Sequence, residues 1–171
     1  GILDSSRFKY FLSQELKIPI DKISTLVLGG HGDTMCPMLN HTTVNEKKLK
    51  DIISEEKLLS IIERTRKGGA EIVKLLEKGS AFYAPAASGI EMAESYLKNL
   101  KKTLPCAAYL NGEYGVENLY AGVPAIIGDK GVEKIIELPL DQEEKKNFEL
   151  SVTSVRELFD AAIKIDKRLK F

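Results

Sequence analysis

The sequence has no surplus of charge of either sign. Lysine plus arginine and aspartate plus glutamate number 25 each, so the formal net charge is zero. That argues against a strongly basic nucleic-acid binder and removes the general pull toward acidic membranes. No apolar run approaches the ~18 residues that span a bilayer. The opening GILDSSRFKY is neither basic nor followed by an apolar core, so no secretion signal is expected. Internal repeats and low-complexity tracts are lacking. Cysteine is scarce: Cys36 and Cys106 lie far apart and outside any CxxC arrangement. They read as two reduced thiols of a cytoplasmic protein, and nothing requires a disulfide. No GxxxxGK[ST] phosphate loop, no GxGxxG after a strand and no GxSxG elbow is present.

What is there suffices for one compact domain. The 171 residues are 43% hydrophobic, enough to build a core of their own. LDSSRFKYFLSQELKI repeats Phe8, Phe11, Leu12 and Leu16 at helical spacing and stops near Pro19. Residues 23–28 are apolar and β-branched and read as a strand, with a second short strand expected over 38–44. Residues 46–57 are charge-rich and read as a solvated turn with short helical pieces. Residues 58–77 are periodic but interrupted by Gly68 and Gly69. Each glycine costs roughly 1 kcal/mol against alanine in a helix interior. The pair predicts a kink, a close approach of another backbone, or a break between two helices.

GSAFYAPAASGIEMAESYLKNL passes from loop to helix, with Pro85 near the first turn. Residues 103–110, 119–127 and 132–138 are β-rich and separated by NGEYG and GDKG, which predicts antiparallel strands joined by hairpins. The closing stretch forms a long amphipathic helix with Phe148, Val152, Val155, Phe159, Ala162 and Ile163 as its stripe. Asp141 is its expected N-cap and Glu144 the partner in a capping box. The expected fold class is α+β, a mixed and largely antiparallel sheet packed with helices, because strands and helices do not alternate regularly.

Chemistry concentrates in LVLGGHGDTMCP, residues 26–37. His31 stands between glycines at the end of a strand, where the backbone can take positive φ and a ligand can come close. An imidazole both takes and gives a proton near neutral pH; the alternative is a turn histidine with no task. Asp4 and Arg7 are three apart on the first helix and share a face. Alone they could form only a surface ion pair. Beside His31, the carboxylate could orient the imidazole and the guanidinium could grip a substrate carboxylate with two parallel hydrogen bonds. His31, Asp33 and His41 could offer two nitrogens and an oxygen to a metal, but they lack HExxH-like spacing and a further ligand. No metal is expected.

GILDSSRF, followed some twenty residues later by LVLGGHGDTMCP, resembles the catalytic half of the lactate/malate dehydrogenases. KGSAFYAPAAS and NGEYGVENLYAGVPAIIG extend the resemblance over nearly the whole chain. The GGHGDTM and GSAFYAPA wording is closer to the bacterial malate dehydrogenases of the lactate-dehydrogenase-like type. The lactate enzymes more often carry GEHGD and tend to place a threonine where this chain has Ala81.

The resemblance implies a role for each of these residues. His31 matches the family's proton acceptor and donor, Asp4 the aspartate that hydrogen-bonds it, and Arg7 the arginine that binds the substrate carboxylate on the reacting carbon. Ala81 would be a pocket wall or simply a small packing residue, and Asp33 would shape the loop. The family's Rossmann half is absent, with its glycine-rich turn, acidic ribose ligand and mobile arginine loop. The chain, which opens on Gly1, is thus expected to be one substrate domain over residues 1–171 of an NAD-dependent malate dehydrogenase, with NAD bound chiefly by the missing domain and the isolated domain inactive. The resemblance further implies malate and oxaloacetate as small-molecule partners, a cytoplasmic homo-oligomer (dimer or tetramer), and no nucleic-acid or membrane partner. Lactate or another 2-hydroxy acid is the alternative substrate. A non-catalytic oligomerisation domain is the second alternative.

Overall fold

The computed structural model describes residues 1–169. The first helix, α1 (Ile2–Leu16), buries Phe8, Phe11 and Leu12 on one face. It ends where Lys17 takes a left-handed conformation (φ 56°) and returns its N–H to Ser13 O. Strands β1 (Ile23–Ser24), β2 (Val27–Gly29), β3 (Met35–Pro37), β4 (Thr43–Val44) and β5 (Lys47–Lys48) follow. The long helices α2 (Glu55–Leu76) and α3 (Tyr83–Leu97) come next. Then β6 (Lys102–Asn111), β7 (Glu117–Gly128) and β8 (Gly131–Ile135) lead into α4 (Gln142–Ile165). Every strand pair among the described residues is antiparallel, so the α+β expectation holds.

The single strand expected over residues 23–28 is two strands in two sheets. Ile23–Ser24 pairs with β4 in a small three-stranded sheet, and Val27–Gly29 belongs to the main five-stranded one. The cause is Ser5 on α1. Its carbonyl accepts the Thr25 hydroxyl at 2.8 Å and its own Oγ takes the Val27 N–H at 2.9 Å. The backbone between the strands is therefore bonded to a helix and changes partner. The strand expected over 38–44 also differs. Residues 35–37 pair with β2, a 3-10 turn occupies Leu39–His41, and only Thr43–Val44 is extended again. Thr42 Oγ1 donates to Met38 O, and Asn40 N–H reaches across to Glu144 Oε1 at 2.9 Å, which pulls this segment toward the start of α4. The charge-rich stretch conceals a tight hairpin between β4 and β5, with Asn45 and Glu46 both at positive φ.

In the main sheet the order is β3-β2-β7-β6, with β8 folded back on β7. β6 occupies one edge of β7 for its whole length, so β2 and β8 share the other edge. β2 meets β7 at one register point, Gly29 opposite Gly122. A β-carbon on Gly122 would strike the Gly29 carbonyl oxygen, so only glycine lets the two backbones meet there. Alternation along β2 and β3 then sorts the core by face. Val27 and Met35 join Phe8, Leu12, Leu58, Ile61 and Ile62 of α1 and α2. Leu28 and Cys36 join Leu110, Val123, Phe148 and Val152. Each fully buried Leu or Phe contributes roughly 1.5–3 kcal/mol. The β2–β3 hairpin is thus held between α1 and α2 on one side and α4 on the other.

α2 runs unbroken through Gly68 and Gly69, so neither a break nor a second helix exists there. Pro85 lies in the first turn of α3, as its spacing predicts. α4 begins with the expected capping box: Asp141 Oδ1 accepts Glu144 N–H at 2.8 Å and Glu144 Oε2 accepts Asp141 N–H at 3.3 Å. Its buried stripe is shorter than expected. Phe148 and Val152 are buried, Val155 and Phe159 pack partly, and Ala162 and Ile163 are only half-buried. Cys36 and Cys106 are free and buried, and burial pushes both thiols up. No helix among the described residues is long and apolar enough to cross a membrane.

Two outcomes follow from this architecture. Gly122→Ala should destabilise the chain by about 1–3 kcal/mol or more, because the added methyl overpacks against backbone that cannot yield; urea unfolding measures it. The backbone N–H of Glu144, and then Asn40, hold the Asp141 carboxyl below its ordinary 3.8. Its contribution to stability is therefore complete above 3.8 and lost as pH falls through the lower folded value. Asp141→Asn should lower the urea midpoint at neutral pH and show a shallower further decline in strong acid.

Candidate active site

β2 delivers the chain into residues 30–34 between the two helical layers. Gly29 sits at φ +80° and Gly32 at φ +81°, in the left-handed region that favours glycine. Gly30 is needed for space instead: a β-carbon there would lie 2.5 Å from Thr34 Oγ1 and 3.2 Å from Val155 Cγ2. His31 is extended (φ −92°, ψ 149°) and precedes a 3-10 turn at Gly32–Thr34. Its side chain is 67% exposed, while the Asp4 side chain beside it is only 3% exposed. Nδ1 of His31 stands 2.9 Å from Asp4 Oδ2.

The chemistry of the pair fixes the proton. An ionised carboxylate only accepts, so the imidazole donates from Nδ1 to Asp4. In the neutral ring this leaves the lone pair on Nε2, which can act as a base. After protonation the ring carries a positive charge 2.9 Å from the carboxylate. Asp4 lies in the first turn of α1, where the helix N-terminus also suits a negative charge.

Arg7 is one turn further along α1. It forms no ion pair with Asp4 among the described residues, so the simple surface pairing is not what these two residues do. Its Nε is buried and has no hydrogen-bond partner. The side chain instead lies along α2 at the glycine pair. A β-carbon on Gly68 would be 3.1 Å from Arg7 Cδ, and one on Gly69 would be 3.6 Å from each Nη. The predicted close approach is therefore real, but it is made by a guanidinium rather than by backbone. A buried N–H without an acceptor is rare and costs about 1–3 kcal/mol. Here it belongs to a planar fork suited to a carboxylate.

The remaining candidates are placed differently. Asp33 is exposed on the 3-10 turn; Lys67 is pushed up chiefly by its hydrogen bond to Glu63, with a small contribution from Asp33. His41 Nε2 lies 3.0 Å from Pro139 O and ties its turn to the segment ahead of α4. No group of three or more His, Cys, Asp or Glu among the described residues could hold a metal. Ala81 is half-buried in the turn leading into α3. Two contacts were not anticipated. Ser5 joins α1 to β2, and Ser151 of α4 accepts the Gly30 N–H at 2.7 Å. A serine gives no warning of such tasks except by falling on a buried helical face. A cavity of about 240 Å³ is lined by Asp33, Thr34, Cys36, Arg66 and Ser151, not by His31; the His31 ring is open to solvent.

A family model described as lactate/malate dehydrogenase, alpha/beta C-terminal domain, matches residues 2–165. The malate dehydrogenase of Pelagibacter ubique (strain HTCC1062) is 61% identical over 174 residues, covering 99% of this chain and 54% of that protein. The solved malate dehydrogenase from Salinibacter ruber superposes with a TM-score of 0.93 at 41% identity, covering 99% of this chain and 55% of that one. The lactate dehydrogenase from Eimeria maxima, solved with NADH and oxamate, gives 0.91 at 43% identity, with 98% and 54% covered. The chain thus spans about half the length of the relatives it matches. Motif, fold and comparison converge: the chain belongs to the lactate/malate dehydrogenase family and corresponds to its alpha/beta C-terminal domain.

Proposed function

We propose that this chain is the substrate half of an NAD-dependent malate dehydrogenase, which converts (S)-malate to oxaloacetate. The observation that carries the reading is the exposed imidazole of His31 bonded through Nδ1 to a buried carboxylate. In the oxidative direction Nε2 of neutral His31 accepts the hydroxyl proton of the substrate, and Asp4 stabilises the resulting imidazolium. In the reductive direction the same nitrogen returns a proton to the carbonyl oxygen. Arg7 holds the carboxylate next to the reacting carbon, a role supported by its place one turn along α1 from Asp4 and by its side chain lining an open pocket with Ser6, Ala84 and Ser88.

NAD would accept the hydride, but the described residues do not suit it alone. All their strand pairs are antiparallel, so they contain no βαβ crossover to cradle a pyrophosphate. The chain carries the proton side of the reaction only. Cytoplasmic residence, a place in the tricarboxylic acid cycle and assembly as a dimer or tetramer accompany this reading. Exposed Tyr83, Ile90 and Leu97 on α3 support some covering surface, whether from the rest of the polypeptide or from another copy. Lactate as substrate is the competing reading, and the likeness to the Eimeria maxima enzyme supports it.

Calorimetric titration of the isolated chain should show neither NADH nor malate binding at normal affinity; micromolar NADH binding would overturn the division of labour. Fusing the chain to the remaining part of the Pelagibacter ubique enzyme should restore malate oxidation in preference to lactate. In that fusion His31→Asn should lower kcat by about 10²–10⁴-fold. An unchanged rate would refute the role of His31.

The bed beneath Arg7 gives a second outcome. Gly69→Ala should stabilise α2 by about 1 kcal/mol, since its methyl meets the guanidinium at ordinary contact distance. Gly68→Ala should gain less, because Arg7 Cδ must move, and should raise KM for malate in the fusion while Gly69→Ala changes it little. Urea unfolding and steady-state kinetics separate the two effects.

A further inference from the structure

We propose that Ser151 is a positioning residue for His31, acting through the backbone of the loop rather than on substrate. The proposal rests on the reading of His31 as the proton-transfer group. Ser151 falls within the apolar stripe of α4, beside Val152, and is only 2% exposed. A hydroxyl so buried needs a partner. Its Oγ accepts the N–H of Gly30, the residue immediately before His31, at 2.7 Å.

The glycines on that side are what admit the serine. A β-carbon on Gly29 would strike Ser151 Oγ and lie 2.9 Å from its Cβ, and one on Gly30 would lie 3.5 Å from Oγ. Gly29 is therefore the residue that lets α4 come so close to the end of β2, while Gly30 meets the serine at ordinary contact distance. One helical turn earlier, Asn147 O accepts the Cys36 thiol at 3.1 Å. α4 therefore holds the hairpin on both flanks of residues 31–34, at Gly30 and at Cys36.

Two restraints of different kind then converge on one imidazole. Asp4 sets the rotation of the ring, and Ser151 sets the backbone from which the ring projects. Both matter for a proton transfer that works only with donor and acceptor about 2.6–3.2 Å apart. A misplacement of about 1 Å can cost on the order of 10²-fold in rate.

The test is Ser151→Ala, with Ser154→Ala as the control from the same helix, since Ser154 Oγ only returns to Leu150 O. The chain has two histidines, so its imidazole ¹⁵N resonances are few, and His41→Asn assigns them. His31 in the unaltered chain should be held as the Nδ1–H tautomer. Ser151→Ala should shift it toward the mixed pattern of a free imidazole, and Ser154→Ala should not. In the fused dehydrogenase, Ser151→Ala should lower kcat about tenfold or more with KM for malate essentially unchanged, because Arg7 is untouched.

An unaltered His31 tautomer with unaltered kcat overturns the proposal. The resonances report loop geometry without cofactor, so they answer even if the fusion shows that His31 has no part in turnover. Should Ser151→Ala not fold, Ser151→Cys, close in size but a poor acceptor, carries the same measurement under reducing conditions that keep it from joining the neighbouring Cys36 thiol. If neither variant unfolds cooperatively, Ser151 is a residue of the fold and the positioning role is refuted.

Discussion

A carboxylate taken almost wholly out of water must have its charge met, and this governs the design around Asp4. Removing such a group from water costs several kcal/mol unless hydrogen bonds and a compensating charge are supplied. The Nδ1–H of His31 supplies such a bond at 2.9 Å. The arrangement works only if α1 and the loop after β2 are fixed relative to one another. Ser5, the next residue after Asp4, does that by binding Val27 and Thr25. The same contact that splits an otherwise continuous strand thus sets the distance between acid and imidazole.

The layers around the site depend on small residues where larger ones would be stronger sheet or helix formers. Gly29 and Gly122 bring β2 against β7, and Gly68 and Gly69 bring the Arg7 side chain against α2. In each case intrinsic propensity is given up for proximity. The loss is made up by the two apolar clusters on either face of the β2–β3 hairpin, built by the alternation of Val27 and Leu28 and of Met35 and Cys36. The hairpin is consequently rigid at its base, while the ring at its tip stays exposed.

Local patterns were readable and distant bonds were not. The helical periodicity of α1, α2 and α4, the capping box at Asp141 and the glycine turns around β7 are properties of neighbouring residues, and the sequence states them directly, although burial stops short of Leu75 and Leu76 on α2 and of Ala162 and Ile163 on α4. So does the GGHGD loop, whose glycines serve a need for space and positive φ. The split of residues 23–28 depends on Ser5, some twenty residues earlier. The diversion of residues 38–44 depends on Glu144, about a hundred residues later. Ser151 falls on the apolar stripe of α4, which marks it as buried, but its partner Gly30 lies 121 residues away and cannot be read locally. The glycine pair in α2 raised the right question, but only the fold identified Arg7 as the neighbour.

The hydrogen bonds that fix the loop join chain segments of very different age. His31 meets Asp4 across 27 residues, but Gly30 meets Ser151 across 121. A ribosome releases the N-terminal segments first, at about 5–20 residues per second. For several seconds, on that scale, a nascent chain holds the histidine and its acid without the helix that closes over their backs. Contacts of such long sequence separation are also slow to form once the chain is free. The imidazole therefore reaches its final setting only after α4 has been made, so newly made chains acquire an ordered loop late in their maturation.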